Sequence, residues 1–257
     1  MTVLNPIVEL RNVGKSFGGV RAVSDISLDI GEKQIYSLIG PNGAGKTTLM
    51  NLMSAMFKPS QGTITFEGHS LHKAPTHKLA GWGVSRTFQN LAVFSNASVI
   101  DNLLVGLHHQ LRANIFSAAM YWGSARNEEK GALRQAEEII DFLEIEHLRD
   151  QPAGMLSYGL QKRVELGRAL ATKPKLLLLD EMVSGMNAEE TEDIARFIMD
   201  IRDELGITVV MVEHDMAIVM DISDRVAVLN HGILIADGTP EEIKKSPAVI
   251  EAYLGRN

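Results

Sequence analysis

Apolar residues along this chain alternate, run together, or recur every three to four positions, and each pattern predicts a different element. Residues 7 to 30 read as strands, and "ISLDI" (26–30) alternates as an antiparallel strand with one wet face should. "KQIYSLIG" (33–40) is a short, mostly apolar run ending in glycine, which predicts a central strand buried on both faces. A glycine-rich loop follows, and then "KTTLMNLMSAMF" (46–57) is apolar at helical spacing. "KPSQG" (58–62) is a turn by composition, and "TITFEG" (63–68) and "VSRTF" (84–88) are further strand candidates.

From about 91 to 170 the pattern is helical. "SVIDNLLVGL" (98–107) and "RQAEEIIDFL" (134–143) carry apolar residues three and four apart, and no strand pattern interrupts them. This predicts an inserted helical subdomain, with "NIFSAAMYWGSARN" (114–127) as its irregular part. Strand patterns return with "KLLLLD" (175–180), "ITVVMV" (207–212), "RVAVLN" (225–230) and "ILIADG" (233–238). Between the first two, Asn187 and Glu190 predict a capping box for a helix that buries Ile194, Phe197, Ile198, Ile201 and Leu205 on one stripe. "TPEE" (239–242) predicts a last helix with a threonine cap and proline in its first turn. Strands alternating with helices give an α/β fold with a mostly parallel sheet, whose ligand site lies at the carboxyl ends of its strands.

Composition narrows the class. The 257 residues are 45% hydrophobic and 22% charged, enough core for one large α/β domain or a domain with a sizeable insert. Cysteine is absent, so there is no disulfide framework and a reducing, cytosolic setting fits. A net charge of −7 argues against a general nucleic-acid binder, which needs lysine and arginine to neutralise phosphates. No apolar run approaches the roughly 20 residues of a membrane helix, and "MTVLNPIVEL" does not read as a secretion signal. A membrane role would therefore come through a partner.

The chemistry sits at the predicted strand ends. "GPNGAGKT" (40–47) is an eight-residue phosphate-loop pattern between a buried strand and a helix. Gly40, Gly43 and Gly45 let the backbone curl so that amides converge on a phosphate, with Pro41, Asn42 and Ala44 between them. Lys46 adds a point charge, and the Thr47 hydroxyl suits a Mg²⁺ ion. "LLLLDE" (176–181) ends a buried strand with two carboxylates: Asp180 suits Mg²⁺, and Glu181 can orient or deprotonate an attacking water. Gln89 in "TFQN" and His214 in "VEHDM" follow two other strands. In "LSYGLQKRVELGRAL" (156–170) Ser157 can cap a helix whose first turn has no acid, although an open helix start carries partial positive charge.

The phosphate loop, "TFQN", "LSYGLQKR", "LLLLDE", "SGMN" (184–187) and "VEHDM" occur in this order, and as a set they resemble the ATP-binding subunit of ABC transporters over nearly the whole chain. The resemblance implies a P-loop NTPase of ABC type, with a mostly parallel core sheet, an N-terminal antiparallel β subdomain and an inserted α-helical subdomain. Residues 1–90 and 171–257 would form the core and 91–170 the helical part of one domain. Gly40 to Thr48 would cradle the triphosphate of ATP, Phe17 in "KSFGGV" would stack on adenine, and His214 would clamp the γ-phosphate. Gln89 would reach Mg²⁺ and the nucleophilic water and relay the state of the site to a membrane partner. Ser184 to Asn187 would line a dimer seam. Ser157 and the Gly159 amide would face the γ-phosphate held by a second cassette, the same chain or a paralogue, so the anion missing from that helix would come from another subunit. Tyr158, Leu160 and Met182 depart from the family pattern, which usually has Gly, Gln and Pro there, and they bear on turnover and on the symmetry of the paired sites.

"SRTFQN", "VIDNLLVGLHHQL", "VEHDMAIVMDISDRVAVLNHG", "ADGTPEEI" and "VIEAYLG" are similar to the branch that serves branched-chain amino acid importers, with relatives for urea, amides or aromatic acids. This implies transmembrane permease subunits as partners, a solute-binding protein met indirectly, no nucleic acid, and a peripheral place on the cytoplasmic face of the membrane. The alternatives are an exporter or lipid-transport cassette, a soluble ABC ATPase acting on DNA ends or ribosomes, and a phosphate-loop kinase.

Overall fold

The structure, a computed structural model, describes residues 6–71, 75, 78–87, 92–107 and 124–254. Strand β1 (Val8–Phe17) pairs antiparallel with β2 (Val20–Ile30) and with β4 (Gln61–Phe66), setting Leu10 opposite both Leu28 and Ile64. The short β5 (His69–Ser70) completes this antiparallel sheet on the far side of β4. The second sheet has the order β10-β9-β3-β8-β7-β6. Its strands β3 (Ile35–Ile39), β6 (Val84–Arg86), β7 (Leu176–Asp180), β8 (Thr208–Val212) and β9 (Arg225–Asn230) are mutually parallel. Strand β10 (Ile233–Gly238) turns back antiparallel to β9.

The parallel strands are apolar on both faces because both faces are covered. Ile35, Ile39, Leu177, Leu179, Val209 and Met211 enter one core with the helices. Tyr36, Leu38, Leu176, Leu178, Val210 and Val212 point the other way, into a second core with the antiparallel sheet and helix α1 (Lys46–Met53). The unbroken "LLLL" of β7 is thus two alternating pairs, one for each core. Helix α1 is shorter than the predicted 46–57: it closes at Ser54, and Ala55 takes a left-handed turn, φ 51°, that carries Phe57 back against Phe17.

After the single-turn α2 (Leu79–Trp82) and β6, the described residues contain no strand until β7. They form α3 (Val99–Leu107), α4 (Ser124–Phe142) and α5 (Tyr158–Leu170), with α3 packed against both of the others. Of the stretch expected to be irregular, 114–123 lies outside the described residues and 124–127 opens α4.

Helix α6 (Ala188–Asp203) starts with the Asn187–Glu190 capping box and buries Ile194, Phe197, Ile198 and Ile201. Leu205 does not join that stripe: it lies past the helix end and is 47% exposed. Helices α7 (Met216–Ile222), α8 (Pro240–Lys244) and α9 (Pro247–Leu254) complete the chain, with Thr239 capping α8 and Pro240 in its first turn. Among the described residues no helix is long and apolar enough to cross a membrane.

Candidate functional site

Strand β3 delivers the chain into the loop 40–45 at the carboxyl edge of the sheet, and α1 leaves from it. Gly40 has φ 148°, and a Cβ there would stand 2.1 Å from the Leu229 carbonyl oxygen, so the loop is pressed against β9 itself. No acid and no side-chain cap serve the first turn of α1, which leaves its amides open toward the loop. Lys46 is buried and donates to the carbonyls of Gly40 (2.7 Å) and Pro41 (3.2 Å). Burial lowers its pKa, and the nearby charges of Glu181 and Asp180 pull the other way. A cleft of about 430 Å³ opens here, lined by Ala22, by Asn42 through Thr48, and by Glu181 and His214. Open amides and a cation on one wall, with a carboxylate and an imidazole beside them, can hold a polyphosphate and act on it.

The two acids after β7 go separate ways. Asp180 is buried, and its Oδ2 accepts from Arg86 of β6 at 2.9 Å. Arg86 also donates to Asn51 Oδ1 (2.6 Å) and Ser54 Oγ (2.8 Å), tying β6, β7 and the end of α1 together. Asp180 Oδ1 is buried with no hydrogen-bond partner among the described residues. A bare carboxylate oxygen and the Thr47 hydroxyl in the first turn of α1 are oxygen donors of the kind that Mg²⁺ takes. Glu181 takes φ 52°, which swings its side chain out of the strand direction, while its N–H stays bonded to the Val212 carbonyl (2.9 Å). Its Oε1 lies 3.0 Å from His214 Nε2.

Glu213, which sequence reasoning passed over, is 3% exposed at the end of β8. Its carboxyl group accepts the N–H of Val183 (3.2 Å), and the amides of Met182 and His214 lie near it. Burial pushes its pKa up to about 7, against the lowering effect of those amides. The unfolded value is near 4.5, so the folded state holds this proton over a window where the unfolded chain has lost it. The contribution is fully present below pH 4.5 and is lost as pH rises through about 7. It amounts to something on the order of 3 kcal/mol. Denaturant titrations between pH 5 and 8 are expected to show stability falling along this limb, and Glu213→Gln is expected to flatten it. An unchanged pH slope in the variant would count against the assignment.

At α5, Ser157 caps the helix by accepting the Leu160 N–H (3.4 Å). An acid from α6 stands beside this helix start. The Ser157 hydroxyl donates to Glu190 Oε1 at 3.3 Å, and a Cβ on Gly159 would stand 2.4 Å from the same oxygen. Neither Ser157 nor Gly159 lines the cleft of its own chain.

Phe17 also stands outside the lining, at the end of β1. It is 43% exposed, edge-on to Phe57 at 5.2 Å, with the Lys15 ammonium 5.0 Å from its ring centre. Met182, where a proline was the expected residue, is fully buried in the helical core. Gln89 lies outside the described residues.

Of the predicted residues, the fold therefore gathers the loop, Glu181 and His214 at one cleft, with Asp180 behind it. Arg86, Glu213 and Glu190 are additions. Arg86 and Glu213 lie inside stretches already singled out, "SRTFQN" and "VEHDM". An acid at the end of a buried strand, the signal that marked Asp180, marks Glu213 equally well.

Comparison with known proteins places this geometry. Residues 23–184 match the family described as ABC transporter, and residues 234–257 match one described as branched-chain amino acid ATP-binding cassette transporter. The chain is 41% identical over 250 residues to the high-affinity branched-chain amino acid transport ATP-binding protein BraF of Pseudomonas aeruginosa, covering 97% of this chain and 98% of that one. It is 40% identical, with the same coverage, to the high-affinity branched-chain amino acid transport ATP-binding protein LivG of Escherichia coli. A crystal structure of the ADP conformation of an ATP-binding cassette from an ABC transporter superposes with a TM-score of 0.85 at 31% identity, covering 98% of this chain and 100% of the other. By fold, cleft and sequence the chain belongs to the ABC transporter family, as one of its ATP-hydrolysing cassettes.

Proposed function

We propose that this cassette powers an importer for branched-chain amino acids or a closely related small solute. The observation that carries the reading is the cleft in which the open loop 42–48 and Lys46 face the Glu181–His214 pair, 3.0 Å apart. In this reading the amides of Gly40 to Thr48 and the Lys46 ammonium hold the triphosphate of ATP, and Phe17 stacks on the base. Thr47, Asp180 and Gln89 hold Mg²⁺, which when bound neutralises developing phosphate charge. Glu181 accepts a proton from the attacking water, the bond to the γ-phosphate breaks, and ADP and phosphate leave. His214, bonded to Glu181, donates toward the γ-phosphate.

The pairing part of the proposal concerns α5. A second cassette, identical or paralogous, brings its bound nucleotide to Ser157 and the Gly159 amide, whose helix dipole favours the charge. Residues 1–90 and 171–257 act as the nucleotide-holding core. Residues 91–170 act as the arm that meets transmembrane permease subunits at the cytoplasmic face of the membrane, and a solute-binding protein is met only through them. The similarity to transport ATP-binding proteins over 97% of the chain supports the importer over the exporter and the soluble alternatives.

The test is Ser157→Arg in a hydrolysis-deficient background with saturating MgATP, followed by small-angle scattering. The expected result is loss of ATP-driven pairing with ATP binding by the single subunit intact. Loss of binding in the single subunit would show a local role for Ser157 and sink the shared-site reading.

A further inference from the structure

We propose that Glu213 is a positioning residue that locks Glu181 and His214 into one unit, because its side chain accepts a backbone amide from the segment that carries Glu181 while its own backbone leads directly into His214. This rests on the reading of Glu181 as general base given above.

The need for such a lock is visible in the backbone. β7 and β8 are neighbours, with Asp180 in register with Val212, so Glu181 and Glu213 leave the sheet side by side. Glu181 departs from the strand in a left-handed conformation, φ 52°, which a side-chain-bearing residue adopts only when its surroundings impose it. One restraint is its own N–H bond to Val212. Of the next two amides, that of Val183 donates to the Glu213 side chain at 3.2 Å and that of Met182 lies near it. The amide of His214, one residue after Glu213, lies near the same group. One hydrogen bond and two neighbouring amides from the two loops therefore meet a side chain that is 3% exposed.

A carboxyl group keeps two oxygens that can accept from these amides, whereas a carboxamide keeps one acceptor oxygen and turns an NH₂ toward them. Glu213 is absent from the lining of the nucleotide cleft. It faces a smaller cavity of about 230 Å³, shared with Gly40, Pro41 and Tyr253. It therefore acts through Glu181 and His214, whose 3.0 Å contact spans the two loops it joins.

The experiment uses the full chain and steady-state MgATP hydrolysis. Glu213→Gln is expected to lower kcat by roughly 10- to 100-fold, the usual penalty for misplacing a reacting group by an ångström. KM and the affinity for a fluorescent ATP analogue are expected to stay within about twofold, since groups that act as a unit lose kcat without losing ground-state binding. On a Glu181→Gln background the same change is expected to cost almost nothing further, because residues acting together are non-additive. Should the Gln variant fail to fold, Glu213→Asp, which keeps the acid on a shorter arm, carries the same comparison. Wild-type kcat in the variant, a parallel loss of ATP affinity, or an undiminished loss in the Glu181→Gln background would each overturn the proposal. If Glu181→Gln alone hydrolyses normally, it is the general-base reading that fails, and that single variant reports it separately.

Discussion

Glu181→Gln is expected to bind ATP normally and to hydrolyse it roughly 10²- to 10⁴-fold more slowly, the usual worth of a positioned general base. The geometry makes this a clean substitution. Glutamine has nearly the same shape, so the left-handed turn at residue 181 and its N–H bond to Val212 are preserved. The amide oxygen can still meet His214 Nε2 where Oε1 does, at 3.0 Å, once the imidazole presents its N–H. Only basicity toward water is removed. Phosphate release under single-turnover conditions, beside equilibrium binding of a labelled ATP analogue, separates the two quantities. Turnover near the wild-type rate would remove Glu181 from the reaction. Weakened binding would mean that its charge matters chiefly to the loop.

Lys46→Ala is expected to weaken nucleotide binding itself by about 10- to 100-fold, because hydrogen bonds to charged groups contribute roughly 1.5–3 kcal/mol. The ammonium is held at the loop by the carbonyls of Gly40 (2.7 Å) and Pro41 (3.2 Å). Its burial already costs charge solvation, seen in its lowered pKa, and an incoming polyanion relieves that cost. Lys46→Met, which keeps the aliphatic length, distinguishes lost charge from a collapsed loop: both variants are expected to bind poorly while melting like the parent. A fluorescent ATP analogue titrated to an unchanged affinity would refute the phosphate-loop reading.

Much of the architecture was legible in the chain because its signals are local. Runs such as "IYSLI" and "LLLLD" can only be strands buried on both faces, and they are. The capping box at Asn187 and the threonine cap at Thr239 formed where the residue spacing put them. The misreadings also have local causes. Apolar spacing alone extended α1 to residue 57, although Ala55 turns left-handed to bring Phe57 to Phe17. The same spacing put Leu205 on a stripe that ends with the helix before it. The site divides the same way. The loop and the acids after β7 lie in continuous motifs, whereas Arg86 reaching Asp180, Glu190 reaching Ser157 and Glu213 reaching Val183 are meetings between distant segments. Spacing along one chain carries no trace of them. The first turn of α5 has no acid of its own, and Glu190, which stands beside it on α6, is 33 residues away in the chain, so spacing gave no sign of that contact.

Strand β7 divides its four leucines between two cores and ends in the acids that face the nucleotide cleft and its border. A random-mutagenesis screen scored on growth would consequently return codons 176 to 179 together with 180 and 181. Damaged chemistry and a collapsed scaffold would look the same on the plate, and only the amount of protein recovered from each clone would tell them apart.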